Sequence, residues 1–337
     1  MSFKIKIQPD NLEFTANPDE SVLAAALRSS INLPYGCRNG ACGSCKGQII
    51  RGKISYPEMA LSGISDIEQK NGYALFCQAH PRTDLEIQSR VISRINDIPI
   101  RKLPCRVIKI DRLNHDVIRL ALKLPASERL QFMAGQYIDI LMPEGKRRSF
   151  SLANAPHDDE YLELHIRHYD GGLFSDFAFK HLKEKTLLRI EGPLGTFFLR
   201  EDSTRPIIMV AGGTGFAPVK SMIEYAIEKN IQRTIILYWG ARSRADLYLH
   251  DLAQEWTKVN SSIKYIPVLS EPAEDDDWTG RTGLVHQSVL QDYEQLADFD
   301  IYTCGPPPMV HAVRDRFIEH GATAEFIYSD SFEFAPT

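Results

Sequence analysis

The chain has 337 residues, of which 43% are hydrophobic and 25% are charged. These fractions are those of a soluble globular protein with a real core, and the length predicts two or three domains. Lys and Arg number 39 against 44 Asp and Glu, for a formal net charge of -5. This balance argues against a dedicated nucleic-acid-binding protein, which normally has a basic surplus. The six cysteines are spaced very unevenly along the chain.

The first residues alternate charged and apolar side chains and contain no apolar core of a secretory signal. The most apolar stretch, 207–219, is interrupted by three glycines and a proline, so it lacks the uninterrupted length that a membrane span requires. We therefore expect a cytoplasmic protein that has no membrane partner. In a reducing cytosol, clustered cysteines bind metal or carry out chemistry more often than they form disulfides.

The first segment of the chain combines strands, a helix and a glycine-rich loop. Lys4–Ile7 alternates charged and apolar residues, which is typical of a half-buried strand, and a helix is predicted over 20–28. The loop over 34–47 carries three cysteines. Two prolines flank a predicted linker at 97–104, so we place the first domain at 1–95.

The rest of the chain changes from strands to alternating strands and helices. Alternating apolar residues over 118–124 and 162–166 predict short antiparallel strands, which indicates a small barrel at 101–203. Over 204–337, apolar strands such as Ile207–Ala211 alternate with helical stretches, which indicates an open, mostly parallel sheet. The predicted fold class is multidomain, with α+β and α/β parts.

Four cysteines have the plant-type [2Fe–2S] spacing, C-x4-C-x2-C with a distant fourth cysteine. These candidate metal ligands are Cys37, Cys42, Cys45 and Cys77. Thiolates are soft ligands that hold iron and sulfide, and the neighbouring glycines let the backbone wrap closely around a cluster. The alternative is a zinc site with four cysteine ligands. Zinc more usually has two separated C-x2–4-C pairs, so the spacing favours iron–sulfur.

The stretch Leu33–Cys45 closely resembles the cluster loop of plant-type ferredoxins. The resemblance implies a β-grasp fold for about the first 90 residues. Cys105 lies outside the motif, and we expect it to be a small core residue.

The stretch Arg148–Ser151 resembles the R-x-[YF]-[ST] element of the ferredoxin–NADP reductase family, which binds FAD. The resemblance implies a Greek-key barrel in which Arg148 pairs with the FAD pyrophosphate and Ser151 hydrogen-bonds the flavin N5. Phe150 stands where many relatives have tyrosine. The resemblance implies further FAD contacts at His165, Ile166 and Arg167, and at a helix N-terminus with Gly172 and Ser175. A lone histidine on an alternating strand is often an ordinary core or surface residue, so both interpretations of His165 stay open.

The strand Ile207–Ala211 runs directly into a glycine-rich turn, and a predicted helix follows. Strand, turn and helix form the context in which such a turn binds phosphate, although a plain tight turn is the alternative. Gly213 and Gly215 allow close backbone approach, and Pro218 suits the first helical turn. The candidate contacts for a nicotinamide nucleotide in this part of the chain are Gly213, Thr214, Gly215, Pro218 and Arg242.

The segment Cys304–Met309 resembles the C-G-P-x-x-M motif of the same family, which implies a Rossmann-like nicotinamide domain. By that resemblance Cys304 lies beside the nicotinamide ring, where it shapes the geometry of hydride transfer, and Gly305 and Pro306 bind the nucleotide. The alternative for Cys304 is a small residue at a strand end. Phe332 is the candidate for a terminal aromatic residue near the flavin, and a frayed tail is its alternative.

The residues leave the choice between NADH and NADPH open. Arg242 and Arg244 follow a predicted strand and could hold a 2′-phosphate, whereas an acidic residue there would favour a free 2′-hydroxyl. The stretch Gly240–Tyr248 resembles the NADH-using oxygenase reductases more closely, so we expect NADH, with NADPH possible.

The three predicted modules together form a converter from hydride to single electrons. The whole chain resembles the reductase components of phenol hydroxylase and methane monooxygenase, and equally CDP-6-deoxy-Δ3,4-glucoseen reductase. This resemblance implies an acceptor protein, either a dehydrase or an oxygenase component, and the ending Tyr328–Phe334 favours the dehydrase. The alternatives from other classes are a free-standing flavin or ferric reductase and a non-enzymatic iron–sulfur sensor.

Overall fold

The computed structural model describes residues 2–58, 61–92, 98–273 and 277–332. The chain divides into two compact units. The first contains the described part of the first 99 residues together with Gly195–Phe197, and the second contains Ile100–Leu194 and Phe198–Phe332. The domain boundaries expected from the sequence, at 95, 101 and 204, stay predictions.

The first unit is built on a five-stranded mixed sheet in the order β2-β1-β7-β3-β5, in which β1 and β7 are parallel. Its elements are β1 (Phe3–Gln8), β2 (Leu12–Ala16), α1 (Val22–Arg28), β3 (Lys46–Arg51), β4 (Ile54–Ser55), α2 (Asp66–Lys70), β5 (Tyr73–Leu75), β6 (His80–Pro81) and β7 (Leu85–Gln88). Ile5 and Ile7 are buried in the core, as the alternation predicts. The helix α1 begins two residues later than expected because the Ser21 side chain accepts a hydrogen bond from Ala24 N–H and caps it.

The second unit begins with a six-stranded antiparallel sheet in the order β11-β10-β13-β8-β9-β12. Its elements are β8 (Arg101–Arg112), β9 (Val117–Lys123), β10 (Tyr137–Leu141), β11 (Arg147–Ser151), β12 (Leu162–Arg167), α3 (Leu173–Lys180) and β13 (Leu187–Leu194). A bridge between Leu152 and Leu164 joins the two ends of the order, so the sheet closes into a barrel. Cys105 is buried in the barrel core, where burial raises the pKa of its thiol to about 12.

The linker expected at 97–104 is wrong over its last four residues. Strand β8 begins at Arg101, and Pro104 lies inside it; Asp97 is outside the described residues. Proline has no N–H for a second neighbour, which disfavours it in a central strand. The pairing with β9 starts only at Arg106, so Pro104 faces β13 alone and occupies a locally unpaired edge.

The second unit continues with a six-stranded parallel sheet in the order β17-β16-β15-β14-β18-β19. Its elements are β14 (Ile207–Gly212), α4 (Phe216–Glu228), β15 (Ile235–Ala241), α5 (His250–Val259), β16 (Ile263–Leu269), β17 (Arg281–Thr282), α6 (Val285–Asp292), β18 (Asp300–Gly305), α7 (Pro307–Glu319) and β19 (Ile327–Ser331). This arrangement confirms the expected α/β part. None of the helices in the described ranges is long and apolar enough to cross a membrane.

A buried ion pair ties the beginning of β18 to the segment before β15. The Asp300 side chain is fully buried and accepts a hydrogen bond from Arg233 Nη2 at 2.5 Å. Arg233 also donates to the carbonyls of Arg205 and Arg200, at 2.6 and 2.7 Å. Removing one partner of a buried pair is strongly destabilising because it leaves a charge without compensation.

We predict that Arg233→Met lowers the free energy of unfolding of the second unit by about 3 kcal/mol. Denaturant unfolding followed by tryptophan fluorescence measures this unit alone. All the tryptophans lie within it, namely Trp239, Trp256 and Trp278. The matched control is Arg316→Met, whose pairing with Glu319 is exposed and should change stability by less than about 0.5 kcal/mol. Equal effects of the two substitutions would contradict the prediction.

Candidate functional site

The cysteine loop between α1 and β3 folds back so that backbone N–H groups face sulfur. Cys37 N–H donates to Cys42 Sγ at 3.4 Å, and Cys42 N–H donates to Cys37 Sγ at 3.3 Å. Ser44 N–H donates to Cys42 Sγ at 3.5 Å. Gly40 and Gly43 have φ values of +83° and +75°, which favour glycine. Such N–H donors stabilise the negative charge of a bound iron–sulfur cluster.

The four sulfurs form two pairs. Side-chain hydrogen bonds link Cys37 with Cys42 and Cys45 with Cys77, and the first of them lowers the pKa of Cys37 to about 7. Although all four residues are described, no three of these sulfurs lie within 4.8 Å of one another. A tetrahedral zinc ion with Zn–S near ~2.3 Å needs all four sulfurs about 3.8 Å apart. Two irons that each take one pair fit the observed arrangement, so the donor set matches [2Fe–2S] rather than zinc.

Gly63 and Gln78, which lie outside the cysteine motif, contact the backbone of the loop, and no sequence motif points to them. Gly63 N–H donates to Gly40 O at 3.0 Å, and a Cβ on Gly63 would lie 2.7 Å from Gly43 N. Gln78 Nε2 donates to Arg38 O at 2.7 Å. In the sequence, only the glycine at position 63 could have hinted at this contact with the cysteine loop, because the contacting segments are distant along the chain.

Thr196 is a third residue that contacts the loop without being part of the cysteine motif. Its Oγ1 accepts a hydrogen bond from Tyr35 N–H at 2.9 Å and donates to Tyr35 O at 3.0 Å. Thr196 N–H also donates to Tyr35 O, at 3.1 Å. These three bonds hold the backbone two residues before Cys37, within the first unit.

Strand β11 carries the expected flavin motif. The Phe150 ring packs against Phe174 in the barrel, with centroids 5.3 Å apart, and Ser151 is buried at the end of the strand. Arg147 forms an ion pair with Glu191. Within the described ranges, by contrast, Arg148 has no carboxylate partner and donates only to Arg147 O, at 2.7 Å. The Arg148 guanidinium therefore keeps donors for an anion.

The N-terminus of α3 is a second anion-binding feature of the barrel. Gly172 is the N-cap residue, and no side chain caps the helix, so its first N–H groups are available to a phosphate. A Cβ on Gly172 would lie 2.3 Å from Ser175 Oγ. Ser175 Oγ accepts from Tyr169 N–H at 3.2 Å and thereby shapes the turn. The acidic Asp176 in the first helical turn is paired with His168 and Lys180, which offsets its repulsion of an anion.

Strand β12 presents side chains that already have protein partners. His165 is buried, with Nε2 2.9 Å from Glu163 Oε1 and Nδ1 3.1 Å from the Tyr248 hydroxyl. Arg167 Nε lies 2.8 Å from Asp116 Oδ2, and Ile166 is buried in the barrel core. The His165 imidazole is therefore a bonded core residue, and contact of β12 with FAD would come from its backbone.

The glycine-rich turn lies between β14 and α4, as the sequence predicts. Gly213 has a φ of +52°, and Trp239 Nε1 donates to its carbonyl at 3.0 Å. Thr214 is buried, and Pro218 occupies the first turn of α4. No side chain caps α4 and its first turn contains no acidic residue, so its N–H groups suit a pyrophosphate.

The cysteine of the C-G-P segment lies directly against this turn. A Cβ on Gly215 would be 2.1 Å from Cys304 O, and a Cβ on Gly305 would be 2.7 Å from Gly212 O. The Cys304 thiol donates to Gly215 O at 2.8 Å, and burial raises the pKa of this thiol well above its usual value. Cys304 is thus a neutral, buried hydrogen-bond donor, which argues against a covalent nucleophile. Pro306 is exposed just before α7.

Two further candidates lie at the edges of this region. Phe332 N–H donates to Gly305 O at 2.9 Å, which anchors the residue beside the C-G-P segment; Glu333 and Phe334 lie outside the described residues. Arg242 is exposed after β15, and in the part of the chain that the structure covers its guanidinium has no hydrogen bond or ion pair. The carboxylate of Asp246 accepts from Ser243 N–H at 3.0 Å, so it is already engaged.

Three family models match the chain in order: a 2Fe-2S iron-sulfur cluster binding domain over 5–82, an oxidoreductase FAD-binding domain over 104–199 and an oxidoreductase NAD-binding domain over 209–315. The CDP-6-deoxy-L-threo-D-glycero-4-hexulose-3-dehydrase reductase of Yersinia pestis is 42% identical over 332 residues, which cover 98% of this chain and 99% of that protein. The chain belongs to the iron–sulfur flavoprotein reductases of the ferredoxin–NADP reductase superfamily.

The chain is also similar to reductases of other enzyme systems. Reductase component 1 of terephthalate 1,2-dioxygenase from Comamonas sp is 36% identical, over 100% of this chain and 99% of that protein. Among solved structures, the Amycolatopsis cytochrome P450 reductase GcoB is similar with a TM-score of 0.79 and 31% identity, over 98% of each chain. The reductase is an NAD(P)H-dependent electron-transfer oxidoreductase whose domains bind a [2Fe–2S] cluster, FAD and NAD(H).

We predict that Gly63→Ala lowers the [2Fe–2S] content of the reductase to about half or less, because the new methyl group overlaps the cluster loop. Iron and sulfide analysis with visible absorption measures the cluster, and FAD content should stay stoichiometric. The control Gly72→Ala has a positive φ but its nearest heavy atom lies 3.4 Å away, so it should retain the cluster. A full cluster in Gly63→Ala would show that the loop tolerates displacement at this contact.

Proposed function

We propose that this reductase takes a hydride from NADH and delivers single electrons to a deoxysugar dehydrase. When bound, FAD accepts the hydride and releases its electrons singly, and the cluster carries one electron at a time. One observation carries the proposal. The same chain contains the two sulfur pairs of the first unit and, in the second unit, the closely packed glycine-rich turn and C-G-P segment. A dehydrase is favoured because the dehydrase reductase is 42% identical and the dioxygenase reductase 36%.

On the barrel, we assign the flavin nucleotide to the free donors around β11 and α3. Arg148 and the uncapped N-terminus of α3 at Gly172 would hold the pyrophosphate. Ser175 keeps the turn before α3 in shape. Ser151, at the end of β11, would donate a hydrogen bond from its hydroxyl to the flavin N5, and Phe150, which packs on Phe174, would support the flavin ring from the barrel side.

On the parallel sheet, we assign the nicotinamide nucleotide to the glycine-rich turn and the C-G-P segment. The turn at Gly213–Gly215 with Pro218 would bind the pyrophosphate. Cys304 holds the turn through its thiol hydrogen bond, so it acts by positioning, while Gly305 and Pro306 would line the nicotinamide side. Phe332, anchored to Gly305 O, would lie against the flavin.

The preference for NADH is part of the proposal. It is supported by the resemblance of the stretch Gly240–Tyr248 to NADH-using oxygenase reductases. Arg242 is exposed after β15, where it would reach the adenosine ribose; its free guanidinium leaves slow use of NADPH open.

We predict that Ser151→Ala slows flavin reduction by NADH about tenfold, because one hydrogen bond to the reacting flavin is lost. FAD affinity should fall by less than about threefold, since Arg148 and α3 remain. Stopped-flow absorbance measures the rate and ultrafiltration measures bound FAD. The control Ser149→Ala, on the same strand as Ser151, removes a hydroxyl that donates to Asp139 of β10 and should keep the rate. An unchanged rate in Ser151→Ala would remove Ser151 from the hydride step.

We predict that a CDP-6-deoxyhexulose dehydrase with its sugar nucleotide accelerates NADH oxidation by the full-length reductase several-fold, as measured at 340 nm. Cys42→Ser should abolish this acceleration and the cluster absorption while NADH-dependent ferricyanide reduction survives, because ferricyanide takes electrons from the flavin. Cys105→Ala, outside the cluster, is the control and should retain both activities.

Other results would favour the rival functions. Acceleration by an oxygenase component alone would identify an oxygenase reductase. Unchanged turnover on small acceptors with no response to either protein would indicate a free-standing flavin or ferric reductase. No turnover of NADH at all would indicate an iron–sulfur sensor.

A further inference from the structure

A polar chain of four side chains links the barrel to the parallel sheet within the second unit. The Tyr248 hydroxyl lies 3.1 Å from His165 Nδ1, and His165 Nε2 lies 2.9 Å from Glu163 Oε1. Lys220 Nζ lies 3.4 Å from the same carboxylate oxygen and 2.9 Å from Glu224 Oε2. The side chains of His165, Glu163 and Lys220 are 0%, 5% and 9% exposed, so the middle of this hydrogen-bonded chain is shielded from water, while Tyr248 at its end is half-buried.

The protonation of this chain follows from its surroundings. Burial opposes ionisation of Glu163, but His165 and Lys220 lower the pKa of that carboxyl to about 2, so it is a carboxylate. Burial lowers the pKa of His165 and raises that of Tyr248 well above its usual value. His165 Nε2–H therefore donates to Glu163, and its Nδ1 lone pair accepts from the Tyr248 hydroxyl. Each bond has one donor and one acceptor, which defines the direction of the whole chain.

The two ends of this hydrogen-bonded chain are Lys220 and Tyr248, and each is connected to the elements around the glycine-rich turn. Lys220 lies in α4, directly after the turn, and also donates to Ala153 O at 3.3 Å. Tyr248 follows β15, and its ring meets Trp239 edge-on with centroids 5.2 Å apart. Trp239 in turn donates to Gly213 O. The carboxylate and imidazole belong to β12 of the barrel, so the chain connects β12 to the turn by two routes.

We propose that Tyr248 is a positioning residue for hydride transfer, which through His165 sets the placement of the glycine-rich turn relative to the FAD-binding barrel. This inference rests on the proposed hydride transfer from NADH to FAD. A buried ion pair is weak evidence of stabilisation and costs desolvation, whereas a directed polar chain specifies one arrangement of the two surfaces that it joins. A displacement of about 1 Å between hydride donor and acceptor can lower the rate about a hundredfold. Small shifts of the turn relative to the barrel would therefore change the rate of hydride transfer.

Tyr248→Phe tests the inference because it deletes the hydroxyl and keeps the ring packing. We expect the limiting rate of flavin reduction at saturating NADH to fall about tenfold, while the Kd for NADH changes less than about twofold. FAD content and thermal transition should match the unmodified protein. NADH deuterated at the transferred position should show a retained or larger isotope effect in the variant, since hydride transfer becomes the slow step. Lys220→Gln, at the other end, should slow the same step.

Tyr265→Phe is the matched control. Tyr265 in β16 makes the same bond, with its hydroxyl 3.0 Å from His250 Nδ1, but both residues belong to the parallel sheet and its helices, so the rate should stay unchanged. Equal rates in Tyr248→Phe and the unmodified protein, equal losses in both tyrosine variants, or loss of the isotope effect would overturn the inference. An unmodified protein whose flavin NADH does not reduce would instead contradict the proposed function itself.

Discussion

The second unit depends on a steric constraint between two backbone segments. The turn after β14 and the end of β18 approach so closely that neither Gly215 nor Gly305 has room for a Cβ. Adjacent parallel strands end at the same edge of a sheet, and this edge of an open α/β sheet is where ligands bind. The Cys304 thiol closes the contact with one hydrogen bond. The uncapped helix α4 therefore begins, with its free N–H groups, directly beside the C-G-P segment.

Polar groups join the barrel to this edge of the sheet. Ser221 Oγ donates to Asn154 O at 2.7 Å, beside the chain of Lys220, Glu163, His165 and Tyr248. Directed hydrogen bonds tolerate fewer relative positions than apolar packing does. An enzyme that transfers hydride between two bound nucleotides requires such a definite relation between its two binding surfaces. The core of the sheet is formed by its apolar strands, and the buried Arg233–Asp300 pair ties β18 to the segment before β15.

Short sequence motifs supplied most of the predictions. The predicted linker was wrong because strand pairing in the folded barrel outweighed the local effect of the prolines. The cysteine spacing predicted an iron–sulfur site because ligand spacing is set by the loop itself. The prolines near residue 100 predicted a linker, but Pro104 lies in a strand since its missing N–H faces no neighbour there. His165 appeared as one residue of an alternating strand, and nothing near it in sequence points to Tyr248. Gly63 and Thr196 were missed for the same reason.

The sequence by itself determined the order of the three modules, and it indicated candidate cluster ligands and two candidate nucleotide turns, since these motifs consist of residue types at characteristic spacings. Only the tertiary structure separated the sulfurs into two pairs, which distinguishes a two-iron cluster from zinc, because Cys77 comes from a separate segment. It also decided that the turn after β14 and the Cys304 segment touch, and that the His165 imidazole is engaged by Tyr248. These are contacts between residues tens of positions apart, and their distances follow from sheet order and packing rather than from any local pattern.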